Sequence, residues 1–237
     1  MMALGGTGYA IHVKNGLPKR FPKKIRKLQN ILIKGNKTND GFHTPCHTAS
    51  GGILNNYKSC RDLTKNYLDK NKKTIVIWGD SHGAHLMPGL RKFLGSNFNL
   101  IQRTRCSCPA ILTGETIGKK DVCKEQNRIV LDEIIKIKPD NVLLVGFWDV
   151  HGYKSLKVTI DYLRKYGIRN ITLLGSAPSY KDKVPKILAR FWINNGHFQK
   201  YVDDFEDKNR SKDVDEYMKI LSKNLKLNFY FIIRHGQ

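Results

Sequence analysis

The stretch that most limits how this chain folds is Thr74-Ile75-Val76-Ile77-Trp78-Gly79-Asp80-Ser81-His82. Its apolar, β-branched run reads as a strand buried on both faces, which requires a sheet covered by helices on both sides. The run stops at a Gly-Asp-Ser-His turn, and a helical segment follows, Ala84 to Leu94. A serine at such a turn is held exposed. The helix that begins there offers unsatisfied backbone N–H groups and a partial positive charge. This is half of what a serine nucleophile needs. The plainer reading is a helix-capping serine, and the rest of the chain has to decide between the two.

The same alternation continues downstream. Phe98–Arg103 reads as a second strand, and a loop with Arg105, Cys106, Cys108 and Pro109 follows it. Asn127–Ile137 places Ile129, Val130, Ile134 and Ile137 at helical spacing, and Pro139 ends it. Asn141–Phe147 is again continuously apolar, as a central parallel strand would be. Ser155–Tyr166 reads as a helix stopped by Gly167. Ile171–Gly175 is a further strand, Val184 to Phe198 and Asp213 to Asn224 are helical, and Leu227–Ile233 is a last strand. Strands alternating with helices at this spacing predict a three-layer α/β/α sandwich with a parallel sheet. Ligands of such sheets sit at the carboxyl ends of the strands. Ser81, Arg105, Trp148, Asp149 and Ser176 all fall there, which points to one site.

Residues 1–70 lack this rhythm. Gly5, Gly6, Gly8, Gly16, Pro18 and Pro22 interrupt the start, a basic piece from Lys23 to Lys34 is helical in pattern, and a polar loop carries Cys46 and Cys60. We read 1–70 as an irregular extension pinned by a Cys46–Cys60 bridge, and 71–237 as the α/β domain. A bridge there would restrict the unfolded state of a segment with little core of its own.

Forty-two Lys and Arg against 20 Asp and Glu leave a formal charge of +22. The excess runs through the whole chain instead of clustering on one face, and no zinc-finger spacing or basic stripe with interleaved aromatics accompanies it. Nucleic acid is therefore not expected as a partner. No apolar run reaches the roughly 18 residues of a membrane helix, and the start lacks the pattern of a signal peptide. Five cysteines without a Cys-x-x-Cys read as disulfides, which belong to an oxidising compartment. Export without a signal implies that something upstream of Met1 carries the chain across a membrane. Cys46 with His43 and His47 hints at a metal, but no second cluster completes a ligand set; neither metal nor cofactor is expected.

Trp78-Gly79-Asp80-Ser81-His82-Gly83-Ala84-His85-Leu86 resembles the nucleophile block of the SGNH/GDSL hydrolase superfamily. More narrowly, it is similar to the SGNH domain fused behind the membrane domain of acyltransferase family 3 proteins, which O-acylate bacterial envelope polysaccharides. Further pieces lie in matching order. Gly16-Leu17-Pro18-Lys19-Arg20 resembles the segment leaving the last membrane helix, and Cys46 and Cys60 resemble the linker's cysteine pair. Cys108-Pro109-Ala110 is similar to a Cys-Pro-Pro turn, Cys123 and Asn127 to the cysteine and asparagine after it, and Leu143 to Trp148 to the next strand. The resemblance implies Ser81 as the acyl-accepting nucleophile, with Asp80 beside it. It implies oxyanion and substrate contacts from Gly79, His82, Asn127 and Trp148. A membrane acyltransferase domain would deliver the acyl donor, an envelope polysaccharide would be the acceptor, and the domain would work on the periplasmic face of the inner membrane. Membrane association would come only through a missing upstream region.

Two departures from that pattern follow. The usual Gly-x-Asn-Asp block stands here as Gly146-Phe147-Trp148-Asp149, so Trp148 Nε1–H would have to donate in place of asparagine. The superfamily's Asp-x-x-His near the C-terminus is absent: no Asp after Ser81 has His three residues on. His235 and His151 are the candidate substitute bases, and His82 and His85 lie nearer in sequence. The expectation is a domain truncated at both ends that hydrolyses esters poorly on its own. A stand-alone carbohydrate esterase and a non-catalytic polysaccharide-binding module are the alternatives. Cys108–Cys123 is the pairing the resemblance suggests, which leaves Cys106 odd or exchanging with Cys108.

Overall fold

A computed structural model describes residues 46–48, 68–113, 120–148, 152–197, 206–207 and 212–230, together with 21–27 and positions 9, 12, 13 and 19. The chain forms two compact units, Met1–Thr38 with Tyr180–Glu206, and Asn39–Ser179 with Asp207–Gln237.

The larger unit holds a six-stranded parallel sheet. In chain order its elements are β1 (His47–Thr48), β2 (Lys73–Gly79), α1 (Ser81–Leu94), β3 (Phe98–Arg105), α2 (Lys120–Ile137), β4 (Asn141–Val145), α3 (Leu156–Lys165) and β5 (Ile171–Leu174). The smaller unit holds α4 (Val184–Asn195), ended by Gly196 in the left-handed conformation (φ 73°), and a helical turn at 23–27. The larger unit closes with α5 (Lys212–Leu225) and β6 (Asn228–Tyr230).

Strand order is β1-β3-β2-β4-β5-β6. The chain steps from β2 outward to β3 and returns across β2 to β4. The order therefore reverses at the β2/β4 boundary, where open α/β sheets leave a crevice at the strands' carboxyl ends. Pleating divides the strand residues between two faces. One carries Val76, Trp78, Ile101, Val142, Leu144, Ile171 and Leu173, and packs on α2, α3 and α5 through residues such as Ile134, Ile160 and Met218. The other carries Ile77 and Val145 and packs on α1 through Met87, with Ile75, Leu100 and Leu143 at its margin. This is the expected three-layer α/β/α sandwich.

Several boundaries differ from expectation, three of them for a clear local reason. The sheet takes in His47–Thr48, within the stretch expected as an extension, because the Cys46 carbonyl accepts Thr104 N–H and the Thr48 carbonyl accepts Cys106 N–H. Helix α1 starts at Ser81, not Ala84, because the Asp80 side chain caps it. Helix α2 starts at Lys120, seven residues before Asn127. Its polar first half conceals an inward edge, since Cys123, Gln126 and Asn127 are all buried. Asn127 therefore sits inside the helix, not at its start.

Cys108 and Cys123 are disulfide-bonded, so the exchange with Cys106 is not what is seen. Cys46 is also disulfide-bonded, and its expected partner Cys60 lies outside the described residues. Among the described residues no helix is long and apolar enough to cross a membrane.

Candidate active site

Gly79 ends β2 where it runs against β4. A Cβ at this position would lie 1.8 Å from the Val145 carbonyl oxygen, so only glycine lets the two strand ends close. Gly79 thus shapes the site through its missing side chain. Immediately beyond, the two chains are tied together by one buried carboxylate, that of Asp80. Its Oδ1 accepts the His82 N–H at 2.8 Å and caps α1. Its Oδ2 accepts the Phe147 N–H at 2.7 Å, across the strand-order reversal. Asp80 is 1 % exposed, so both acceptors are held in a dry setting where loss of either partner is costly.

Ser81 follows as the first residue of α1, partly exposed at the mouth of the crevice. Two histidines follow it in α1. His82 Nδ1 lies 3.2 Å from Asp80 Oδ1, and its ring stacks on Phe147 with centroids 4.8 Å apart. His85 lies one turn on, edge-to-face with His82 at 6.3 Å. Desolvation, then the neighbouring His82, holds the His85 pKa below its ordinary value, while a hydrogen bond to the Ser81 backbone opposes the shift.

A third imidazole comes from β1. His47 Nδ1 lies 2.9 Å from Thr104 Oγ1, and Nε2 lies 3.2 Å from Cys106 Sγ. Burial lowers its pKa to about 4, against the pull of Asp80 and with help from His85 and Arg105. From sequence, His47 stands out only as one of three residues, with His43 and Cys46, that hint at a metal. Among the described residues no group of three His, Cys, Asp or Glu could hold a metal ion. The signal that places His47 here is a two-residue strand, too short to show as a period.

Two residues expected to face substrate have their amide and indole groups hydrogen-bonded to the scaffold. Asn127 Oδ1 accepts the Trp78 indole N–H at 2.9 Å, and its Nδ2 donates to the Pro109 and Ile111 carbonyls, each at 2.8 Å. Trp148 is fully buried, and its Nε1–H donates to the Leu174 carbonyl at 2.8 Å, joining the chain after β4 to the end of β5. The donors of both side chains are engaged away from Ser81. Asp149, His151 and His235 lie outside the described residues. A cleft of about 580 Å³ between α2 and α3, walled by Arg128, Asp132, Tyr162 and Tyr166, includes none of the Ser81 cluster.

The family model for the SGNH domain, the kind fused to AT3 domains, matches residues 45–232. The chain belongs to this family. Its match begins one residue before the disulfide-bonded Cys46 and takes in all six strands of the sheet. Among solved structures, the SGNH domain of this chain is similar to one described as the periplasmic domain of a lipopolysaccharide acetyltransferase from Salmonella ser. Paratyphi A. The likeness has a TM-score of 0.65 at 18 % identity and covers 83 % of this chain and 80 % of that one, which shows a shared fold. No curated protein matches the chain.

Proposed function

We propose that this SGNH domain transfers acyl groups through Ser81 onto hydroxyls of an envelope polysaccharide, on the extracytoplasmic side of the bacterial inner membrane. A fused membrane acyltransferase domain would supply the acyl donor. The observation that carries the reading is the position of Ser81: it opens α1 at the strand-order reversal, with its turn clamped to the β4 end by Asp80. Family membership supports the general chemistry, and the fold shared with a periplasmic acetyltransferase domain supports the compartment.

In this reading Ser81 Oγ attacks the acyl carbonyl carbon, and its proton passes to an imidazole. The Ser81 N–H, first in the helix, stabilises the oxyanion. The leaving group departs, and an acceptor hydroxyl then attacks the serine ester and restores Ser81. His82 is the candidate base next to Ser81 in the chain, with its Nδ1 3.2 Å from Asp80 Oδ1. His235 remains the other candidate base. Asp80 is a positioning residue, and Gly79 permits the close approach that builds the turn.

The test is acylation of the full chain by p-nitrophenyl acetate, with the acetyl group located by peptide mass. An alkali-labile ester on the Ser81 peptide, lost in Ser81→Ala, is expected. His82→Ala should slow its formation by about a hundredfold if His82 is the base. Rates equal in wild type and His82→Ala but collapsed in His235→Ala would move that role. No adduct on the Ser81 peptide, with salt-sensitive polysaccharide binding unchanged in Ser81→Ala, would replace transfer with a binding module.

A further inference from the structure

The cleft between α2 and α3 takes no part in the Ser81 chemistry, yet its walls are fixed in place. It holds about 580 Å³, within the range of small-ligand sites. The Cys108–Cys123 disulfide staples the first turn of α2 to the chain leaving β3. Farther along that loop, Leu112 N–H donates to Thr159 Oγ1 of α3 at 3.1 Å. The loop that lines the cleft is therefore tied to both helices. Along α2 the lining runs from Asp121 to Ile135, about 21 Å of helix axis, which suits an extended ligand.

Two features of the lining select that ligand. The first is aromatic. Tyr162 in the last turn of α3 and Tyr166 just after it both line the cleft, and each is 44 % exposed. Exposed apolar side chains scattered singly are ordinary, whereas these two stand one helical turn apart, over the half-buried Ile135 and the buried Leu131. The electron-rich face of a phenol ring attracts the polarised C–H face of a pyranose. The second feature is charge. Asp121, Glu125 and Asp132 outnumber Lys124 and Arg128 on the walls, while basic residues outnumber acidic ones 42 to 20 in the chain. A phosphorylated or uronic ligand would be drawn more strongly elsewhere on such a surface. Uncharged hydroxyl pairs suit these walls, since carboxylates accept from them and a guanidinium donates to them. Arg128 is available for this: its side chain is 74 % exposed, and its nearest acid, Glu125, is 4.0 Å away.

We propose that this cleft binds a neutral oligosaccharide, with sugar rings on Tyr162 and Tyr166 and hydroxyls on Asp132 and Arg128. The binding itself is argued from the lining; its use, holding the acceptor polysaccharide on the domain between transfers, rests on the acyl-transfer reading above. The probes are mannohexaose and cellohexaose, with hexagalacturonate as the anionic comparison. They are titrated by calorimetry and saturation-transfer NMR into the full chain carrying Ser81→Ala. This background forms no serine ester, and acetylation of Ser81 by p-nitrophenyl acetate needs no glycan, so either reading can fail alone. Binding of a neutral hexasaccharide is expected, tighter than that of hexagalacturonate and insensitive to added salt. Tyr162→Ala and Tyr166→Ala should each weaken it about tenfold, with urea unfolding unchanged. Tyr162→Phe keeps the ring and should retain binding. Absence of binding by both neutral probes overturns the proposal, as does an affinity unchanged when both tyrosines are alanine. A preference for hexagalacturonate that salt abolishes also overturns it. So does self-association of the chain that is lost in the double variant, which would give the cleft to a second copy.

Discussion

The ends of β2 and β4 lie side by side at the strand-order reversal, yet they treat their polar groups in opposite ways. The β2 end leaves Ser81 partly exposed, with His82 and His85 edge-to-face in the same turn of helix. The β4 end turns inward: Phe147 N–H goes to Asp80, and the Trp148 indole goes to Leu174. Position at a strand's carboxyl end therefore nominates a residue for function but does not assign it. What assigns it is whether its polar atoms are already matched. A matched buried donor is a structural asset whose removal costs stability; an unburied hydroxyl at a helix start costs almost nothing to remove and is available for chemistry.

The sharpest way to break this contrast is at the seam itself. Gly79→Ala forces a methyl group to within 1.8 Å of the Val145 oxygen, a backbone atom that cannot move aside without parting the strands. A loss above about 4 kcal/mol, or no cooperative urea transition at all, is expected. Stability near wild type would mean that the two strand ends are not locked. Asn127→Ala comes next. It strands the buried Trp78 indole N–H and two carbonyls, and should cost about 3 kcal/mol. Ser81→Ala, measured beside it, should change stability by less than about 1 kcal/mol.

Trp148→Phe sharpens the comparison because the two roles for its indole predict different readouts. An oxyanion donor removed costs about 10²- to 10³-fold in the rate of Ser81 acylation. A donor engaged by the Leu174 carbonyl costs about 1–2 kcal/mol in urea unfolding and leaves the rate within a few fold. We expect the second pattern. A large rate effect with unchanged stability would return Trp148 to the catalytic group.

The same distinction explains how much was legible in the sequence. The parallel sheet was, since Val76–Trp78 and Val142–Val145 are apolar on both faces and only a sandwich accommodates that. The Ser81 turn was, because the glycine, the aspartate and the serine are consecutive at the end of an apolar run. The burial of Gln102, Arg103, Thr104 and Arg105 was not. All four are at most 1 % exposed, yet four polar residues in a row carry no sequence signal of burial. They are buried because partners far off in sequence satisfy them: Arg103 on Glu133, Arg105 on Thr48 and Gln126, Thr104 on His47. The partners of Asn127 and Trp148 were hidden for the same reason. Sequence shows which groups can donate, while their acceptors, here the carbonyls of Pro109, Ile111 and Leu174, are set by tertiary packing. His47 was hidden because a two-residue strand has no period to read.

His47 supplies the smallest effect and a test with a defined sign. In the folded chain its imidazole stays neutral down to about pH 4, whereas an ordinary histidine takes its proton near pH 6.5. Between those values the unfolded chain binds more protons than the folded one, so stability rises with pH and is lost on acidification through this window. The groups that set the shift besides burial are Asp80, His85 and Arg105. Because the ring is only partly buried, the contribution is discounted to about 1 kcal/mol. His47→Gln cannot titrate. Its stability should therefore fall less than that of wild type from pH 6.5 to pH 4, by about that amount, in urea unfolding at matched ionic strength. Parallel curves for the two proteins would show that the β1 imidazole is solvated like any surface histidine. The β3 end would then be as open as the β2 end, and the contrast between matched and available groups would lose its second example.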